Sequence, residues 1–347
     1  MKAVVLTRLL GMELREVPDP VIESPHDVLL RVTRVGVCGS DVHYHKTGRI
    51  GSQVVQYPFR VGHESAGIVE AVGSAVTRVR VGDKVAIDPA MPCGECDQCL
   101  CGRPHTCRKL RFLGCPGQAE GSLCEKLVMP EGSLFPIAAE STLDHGALSE
   151  PLAIGVYATR LAGELRGKKV GILGFGPIGM SVLLPALHKG AGPVYVTDKI
   201  DARLDMAWRM GAAWTGNPVK EDVVAAVRER EPLLLDYVFE CCGEQEALDN
   251  AIDLLAPGGK LLLIGIPEVD RVSFPIDLLR RKEICIQNVR RQNECVEETL
   301  ELIASGALPA DAMVTHRFPL ERTPDAFDLV MNYRDGVMKA MIEIGGP

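Results

Sequence analysis

Between Gly36 and Glu64 the chain gathers a thiol (Cys38), a hydroxyl (Ser40), two imidazoles (His43 and His63) and a carboxylate (Glu64). They fall in two segments, Gly36-Val37-Cys38-Gly39-Ser40-Asp41-Val42-His43-Tyr44 and Gly62-His63-Glu64. Thiolate sulfur, imidazole nitrogen and carboxylate oxygen together suit Zn²⁺. Three protein ligands with a fourth position open make such an ion catalytic rather than structural. One stereochemical obstacle stands in the way. Successive strand residues face opposite sides of a sheet, so His63 and Glu64 reach one ion only from an irregular backbone. Otherwise Glu64 acts intermittently or from behind the ligands, and Glu150, in Ser149-Glu150-Pro151-Leu152, is available to complete the site. Cys38, Ser40, His43 and His63 read as loop positions, whereas His45, His105, His188 and His316 read as structural.

A second cluster is more specific. Cys93, Cys96 and Cys99 are spaced by two residues, and Cys107 follows after seven more, with Gly94 and Gly102 in the turns. Four thiolates at this spacing close a tetrahedron around zinc and staple a lobe that has no core of its own. An iron–sulfur cluster is the alternative metal reading. Cys101 falls outside the pattern.

The third motif is Gly174-Phe175-Gly176-Pro177-Ile178-Gly179. It follows the apolar run Val170–Leu173, opens a helical stretch ending near His188, and precedes Asp198 at the end of the next apolar run. That context fits a dinucleotide fingerprint, in which glycines let backbone N–H groups approach a pyrophosphate at a helix N-terminus. Asp198 is placed to accept hydrogen bonds from the ribose hydroxyls and to repel a 2′-phosphate. NAD is therefore expected over NADP, a preference that Lys199 and Arg203 soften.

Elements must position these groups. Residues 1–130 are rich in β-branched runs such as Asp27–Val32, Val61–Val72 and Asp83–Asp88, broken by Pro18, Pro20, Pro25, Gly73 and Gly82. They predict a β-rich domain. From Ser141, with Ser141-Thr142 as N-cap, a helix to Leu161 is followed by alternating strands and helices, the pattern of a parallel sheet covered on both faces. The tail carries helices at 294–305 and 324–331 and a last strand, Lys339–Ile344, which is free to return to the first domain.

Composition narrows the function. A chain of 347 residues is expected to form two domains. Its net charge of −8 argues against nucleic acid or an anionic membrane as partner. The amphipathic start is no signal peptide, and no apolar run approaches the ~18–20 residues of a membrane span. Twelve cysteines, many crowded between Cys93 and Cys124, suit metal binding in a reducing cytoplasm better than a disulfide framework.

Taken together, Gly36 to Tyr44, Gly62-His63-Glu64, the four-cysteine lobe, Glu150-Pro151-Leu152, the glycine loop and Thr315-His316-Arg317-Phe318-Pro319-Leu320 resemble the zinc-dependent medium-chain dehydrogenase/reductase superfamily, sorbitol (polyol) dehydrogenase branch. The resemblance covers nearly the whole chain. It implies an α/β protein, with a GroES-like catalytic domain over 1–151 and 289–347 (zinc lobe about 89–110) and a Rossmann doubly wound parallel-sheet domain over 152–288. It implies a catalytic zinc on Cys38, His63 and Glu64, with Glu150 holding the zinc-bound water or substrate. Ser40 and His43 resemble a proton relay, and Tyr44, Phe112, Glu150, Arg290 and Arg291 are the expected substrate contacts. One departure stands out: polyol enzymes carry an arginine–tyrosine pair where this chain has Arg290 and Arg291. An added guanidinium suits a carboxylate or phosphate on the substrate, unless Arg291 points to solvent. The implied activity is hydride transfer between a secondary alcohol of a polyol or sugar-derived substrate and NAD, by a homo-oligomer, dimer or tetramer. Dehydrogenases of an aldonate, of threonine or of glucose are the enzymatic alternatives. A non-catalytic nucleotide-binding relative is the other.

Overall fold

The strand Asp27–Gly36 is the axis of the first sheet in the computed structural model, which describes residues 1–345. It pairs antiparallel with Glu64–Val72 on one side and with Lys339–Glu343 and Lys126–Pro130 on the other reaches of its length. Lys84–Ile87 and Leu134–Pro136 extend the sheet beyond Glu64–Val72, and Val314–Pro319 lies parallel to Lys339–Glu343 at the opposite edge. Val28, Leu30 and Val32 alternate with less buried neighbours, and the register shift between Val32 and Arg34 keeps Val35 in the same buried set. These four, with Val69, Val85 and Ile87 of the neighbouring strands, are at most 2% exposed and build the core. The last strand does return to the first: Met341 stands opposite Gly36, 305 positions earlier in the chain.

Residues 170–288 form a second sheet, all parallel, in the order Trp214–Gly216, Val194–Thr197, Val170–Leu173, Leu235–Glu240, Leu255–Leu263, Cys285–Asn288. In chain order that is 3-2-1-4-5-6, the doubly wound arrangement in which the first strand leads into the phosphate-binding turn. Val170–Leu173 and Val194–Thr197 are buried at every position, as strands covered on both faces must be.

The chain divides into two compact units, Met1–Glu150 with Val296–Pro347, and Pro151–Cys295. The first division falls inside the helix Leu143–Ala162, whose N-terminus is capped by Thr142 Oγ1 accepting from His145 N at 3.2 Å. The second lies beyond the 288/289 boundary read from the sequence. Cys295 is fully buried, and Arg160 donates to the Asn293 carbonyl at 3.1 Å, so residues 289–295 stay with the inserted unit. Residues 346 and 347, the end of the expected catalytic domain, lie outside the described residues.

Candidate active site

The first unit brings Cys38, His63 and Glu64 together: a sulfur, a ring nitrogen and a carboxylate oxygen lie within 4.8 Å of one another. Local backbone resolves the obstacle seen in the sequence. The strand begins only at Glu64, and Gly62 at φ +100 turns the chain just before His63, a conformation that glycine adopts without strain. His63 and Glu64 are therefore not consecutive residues of a regular strand. Gly36 completes the arrangement, because a Cβ there would stand 2.3 Å from Glu64 Oε2.

Cys38, Ser40 and His43 are not loop residues in the way the sequence suggested. Cys38 is the N-cap of a helix, Gly39–Thr47, which carries the other two. Ser40 donates to Cys38 Sγ at 3.3 Å, and His43 follows one turn later, half-buried on the same side of the helix. That helix also supplies a residue the sequence reading passed over. Asp41, 1% exposed, accepts from Gly62 N at 3.1 Å and faces His63 Nδ1 at 3.2 Å. A carboxylate on one ring nitrogen fixes the tautomer and leaves the other free for a metal. Burial lowers the His63 pKa, but the charges of Asp41 and Cys38 prevail and raise it well above the usual imidazole range.

Lys339 is the second residue missed. It arrives on the last strand and grips Glu64 through Nζ, at 2.7 Å from Oε1 and 2.5 Å from Oε2. Nothing local in Lys339-Ala340-Met341-Ile342 announces this; only the pairing across the sheet creates it. Glu150 is buried within range of the charges of His63, Glu64, Asp88 and Lys339, and burial above all pushes its carboxyl up to about 7. Glu64, not Glu150, shares the tight cluster with Cys38 and His63.

Of the expected substrate contacts, Phe112 tilts its ring against His63, with centroids 5.6 Å apart. Tyr44 is buried, and its hydroxyl donates to Gln53 Oε1 at 3.0 Å. Arg290 and Arg291 belong to the other unit. There Arg290 is exposed, whereas Arg291 is half-buried at φ +55, so it does not simply point to solvent.

The four-cysteine lobe fits its ion well. Sulfur–sulfur distances are 3.5 Å (Cys93–Cys107), 3.6 Å (Cys96–Cys99), 3.8 Å (Cys96–Cys107) and 4.0 Å (Cys93–Cys99). Tetrahedral zinc with ~2.3 Å bonds requires about 3.8 Å. Backbone N–H groups, that of Arg108 first, draw Cys96 down to about 6, while burial pushes Cys99 up to about 12. The cluster thus presents negative charge to a cation at neutral pH. Cys101 is exposed, its thiol turned to the Gln98 carbonyl.

In the second unit each glycine of the loop has a separate reason. Gly174 takes φ +90, and a Cβ on Gly179 would lie 2.1 Å from the Gly174 carbonyl oxygen. Gly176 is the N-cap of the helix Pro177–His188, in which Pro177 and Ile178 make the first turn. Asp198 accepts from Phe175 N at 2.7 Å and Ile200 N at 2.8 Å, which holds it beside the loop. Arg203 lies 3.9 Å from Asp198 and would face a Cβ on Gly176 at 3.4 Å.

Residues 24–139 match the model of the alcohol dehydrogenase GroES-like domain and residues 177–305 that of zinc-binding dehydrogenases. The chain belongs to the zinc-dependent medium-chain dehydrogenase/reductase superfamily, in its sorbitol dehydrogenase-like branch. It is 33% identical to sorbitol dehydrogenase of Bacillus subtilis (strain 168), over 99% of this chain and 97% of the relative. It is 33% identical to L-idonate 5-dehydrogenase of Vitis vinifera, over 89% and 86%. Among solved structures, a protein of Sinorhizobium meliloti 1021 described as a zinc-binding dehydrogenase and bound to NADP superposes with a TM-score of 0.90. It is 30% identical, over 99% of this chain and 98% of that one. The two units are accordingly a GroES-like and a Rossmann fold.

Proposed function

We propose that this chain is a zinc-dependent oxidoreductase that transfers a hydride between a secondary alcohol of a polyol or sugar-derived substrate and NAD. The observation that carries the reading is the convergence of Cys38, His63 and Glu64, with Asp41 behind the histidine and Lys339 behind the glutamate. Those three residues would hold the catalytic zinc, and Cys93, Cys96, Cys99 and Cys107 the structural one. A catalytic zinc lowers the pKa of an alcohol hydroxyl, and the nicotinamide takes the hydride. The chain's own residues do the rest. Ser40 and His43, one helical turn apart, carry the proton away. Glu150, with a carboxyl near neutrality, holds or passes a proton beside His63. Tyr44 and Phe112 shape the pocket on that unit, with the Tyr44–Gln53 pair fixing one wall.

Gly174, Gly176, Pro177, Ile178 and Gly179 take the pyrophosphate, and Asp198 the adenosine ribose, with NAD preferred; Arg203 beside it leaves room for some use of NADP. A second reading, a sugar acid as substrate, is favoured by the half-buried Arg291 next to Arg290. The enzyme works in the cytoplasm as a homo-oligomer. All twelve cysteines are free, in keeping with a reducing compartment. Among the described residues no helix is long and apolar enough to cross a membrane.

An NAD-reduction screen over C4–C6 polyols, aldonates and simple alcohols tests the proposal. Oxidation of a polyol or aldonate well above any simple alcohol supports it, and no NAD reduction with any of them defeats it. A preference for neutral polyols that Arg291→Ala leaves unchanged would end the sugar-acid reading.

A further inference from the structure

We propose that Lys339 is a positioning residue of the metal centre: it holds the Glu64 carboxylate by both oxygens and so weakens and directs its grip on the zinc. The inference rests on the reading of Cys38, His63 and Glu64 as a zinc site. It starts from an unusual burial. Lys339 is 1% exposed and ranks with Phe175, Phe239 and Phe327 among the largest fully buried side chains. Taking an ammonium out of water costs several kcal/mol, so a lysine survives there only with its donors and its charge satisfied. An ammonium has three donors. Two meet Glu64 Oε1 and Oε2, and the third points to the Val37 carbonyl oxygen at 3.3 Å.

The placement is specified by the sheet. Met341 stands opposite Gly36, and Val37 N donates to the Ala340 carbonyl at 2.9 Å, which puts Lys339 level with Cys38. Gly36 lets the Glu64 carboxylate lie flat between the two strands. Glu64 is thus shared: its carboxylate belongs to the cluster with Cys38 and His63 and is also clamped by a cation. A carboxylate offers about four lone pairs, of which Lys339 engages two. Charge drawn toward the ammonium is not available to a metal, so Glu64 becomes a weak, displaceable ligand. Charge also matters for the chemistry. A thiolate and a carboxylate would cancel a divalent ion, and Lys339 leaves the buried site one charge more positive, which favours negative charge developing on an alcohol oxygen.

The test uses the whole enzyme with cobalt(II) in place of the catalytic zinc, in Lys339→Met and Lys339→Arg. With Glu64 released from its clamp, Lys339→Met should lose metal to a chelator about tenfold more slowly, the equivalent of about 1.4 kcal/mol in the barrier. Its cobalt absorption bands should move and kcat should fall more than KM for the alcohol. Lys339→Arg should restore the bands and the release rate. Metal loss at or above the wild-type rate with unmoved bands overturns the proposal. Should Lys339→Met fold poorly, Glu64→Gln and the double variant Glu64→Gln/Lys339→Met decide it. Matching cobalt spectra for these two support a role exercised through Glu64, and differing spectra overturn it. Failure of the underlying site reading looks different: Cys38→Ser would then retain both metals per chain.

Discussion

Glu150 gives a stability prediction whose sign and size both come from the structure. The group is buried, and burial, reinforced by the charges of Glu64 and Asp88, holds its carboxyl at about 7 against an ordinary 4.5. The folded protein therefore keeps a proton that the unfolded chain gives up. Between those two values the native state binds more protons than the unfolded state, so stability falls as pH rises through the window and levels off above it. Below the ordinary value both states are protonated and the penalty vanishes. A gap of about 2.5 pKa units at ~1.36 kcal/mol each makes the full penalty about 3 kcal/mol. Glu150→Gln cannot ionise and escapes it. The chelator-stripped variant should thus match the stripped wild type near pH 4.5 and exceed it by about 3 kcal/mol at pH 8, roughly 6–12 °C in Tm at ~2–4 °C per kcal/mol. Stripping matters, because a cation beside Glu150 would itself favour the carboxylate. Calorimetry is the right assay: both tryptophans, Trp208 and Trp214, lie in the Pro151–Cys295 unit, so their fluorescence would follow the other transition. A stability difference that is the same at pH 5 and pH 8, or that favours wild type at high pH, would refute the reasoning.

Three further outcomes are expected. Gly36→Ala drives a methyl into the Glu64 carboxylate, so catalytic-metal affinity should drop about 10–100-fold by competitive chelation, as when a ligand loses its support; unchanged affinity would mean that Glu64 is not held there. Cys96→Ser should lose one zinc per chain and lower Tm, while the cobalt spectrum of the Cys38 site stays as it was. Asp198→Asn removes the charge and, because Phe175 N and Ile200 N donate to different carboxylate oxygens, also turns an amide NH2 onto one of these two donors. NAD binding should weaken about tenfold to a hundredfold and that of NADP much less, read from fluorescence titrations of the reduced cofactors.

The parts of this molecule that could be read from the sequence are those whose geometry is local. Four cysteines in one lobe and three glycines in one turn constrain each other over a few residues, and the glycine loop sits between strand and helix as its spacing required. The helix Gly39–Thr47 was hidden because its sequence has no apolar stripe and its N-cap, Cys38, makes no side-chain cap. Placing Asp41 under His63 depends on that helix, so it stayed hidden too. Lys339 meets Glu64 across 275 residues, through strand pairing that no local pattern encodes. Glu64 itself was legible as a residue type but ambiguous in geometry until Gly62 turned the backbone ahead of it.

Zinc content measured beside polyol oxidation, in wild type and Cys38→Ser, tests the central claim most directly. The wild type should hold two zincs per chain and reduce NAD with a polyol or sugar acid. Cys38→Ser should hold one, keep its fold and bind the cofactor normally, yet lose at least about a thousandfold in kcat, or some 4 kcal/mol of barrier. A Cys38→Ser protein that still holds two zincs, or that oxidises the substrate at the wild-type rate, would contradict the assignment of Cys38, His63 and Glu64 as the catalytic metal centre.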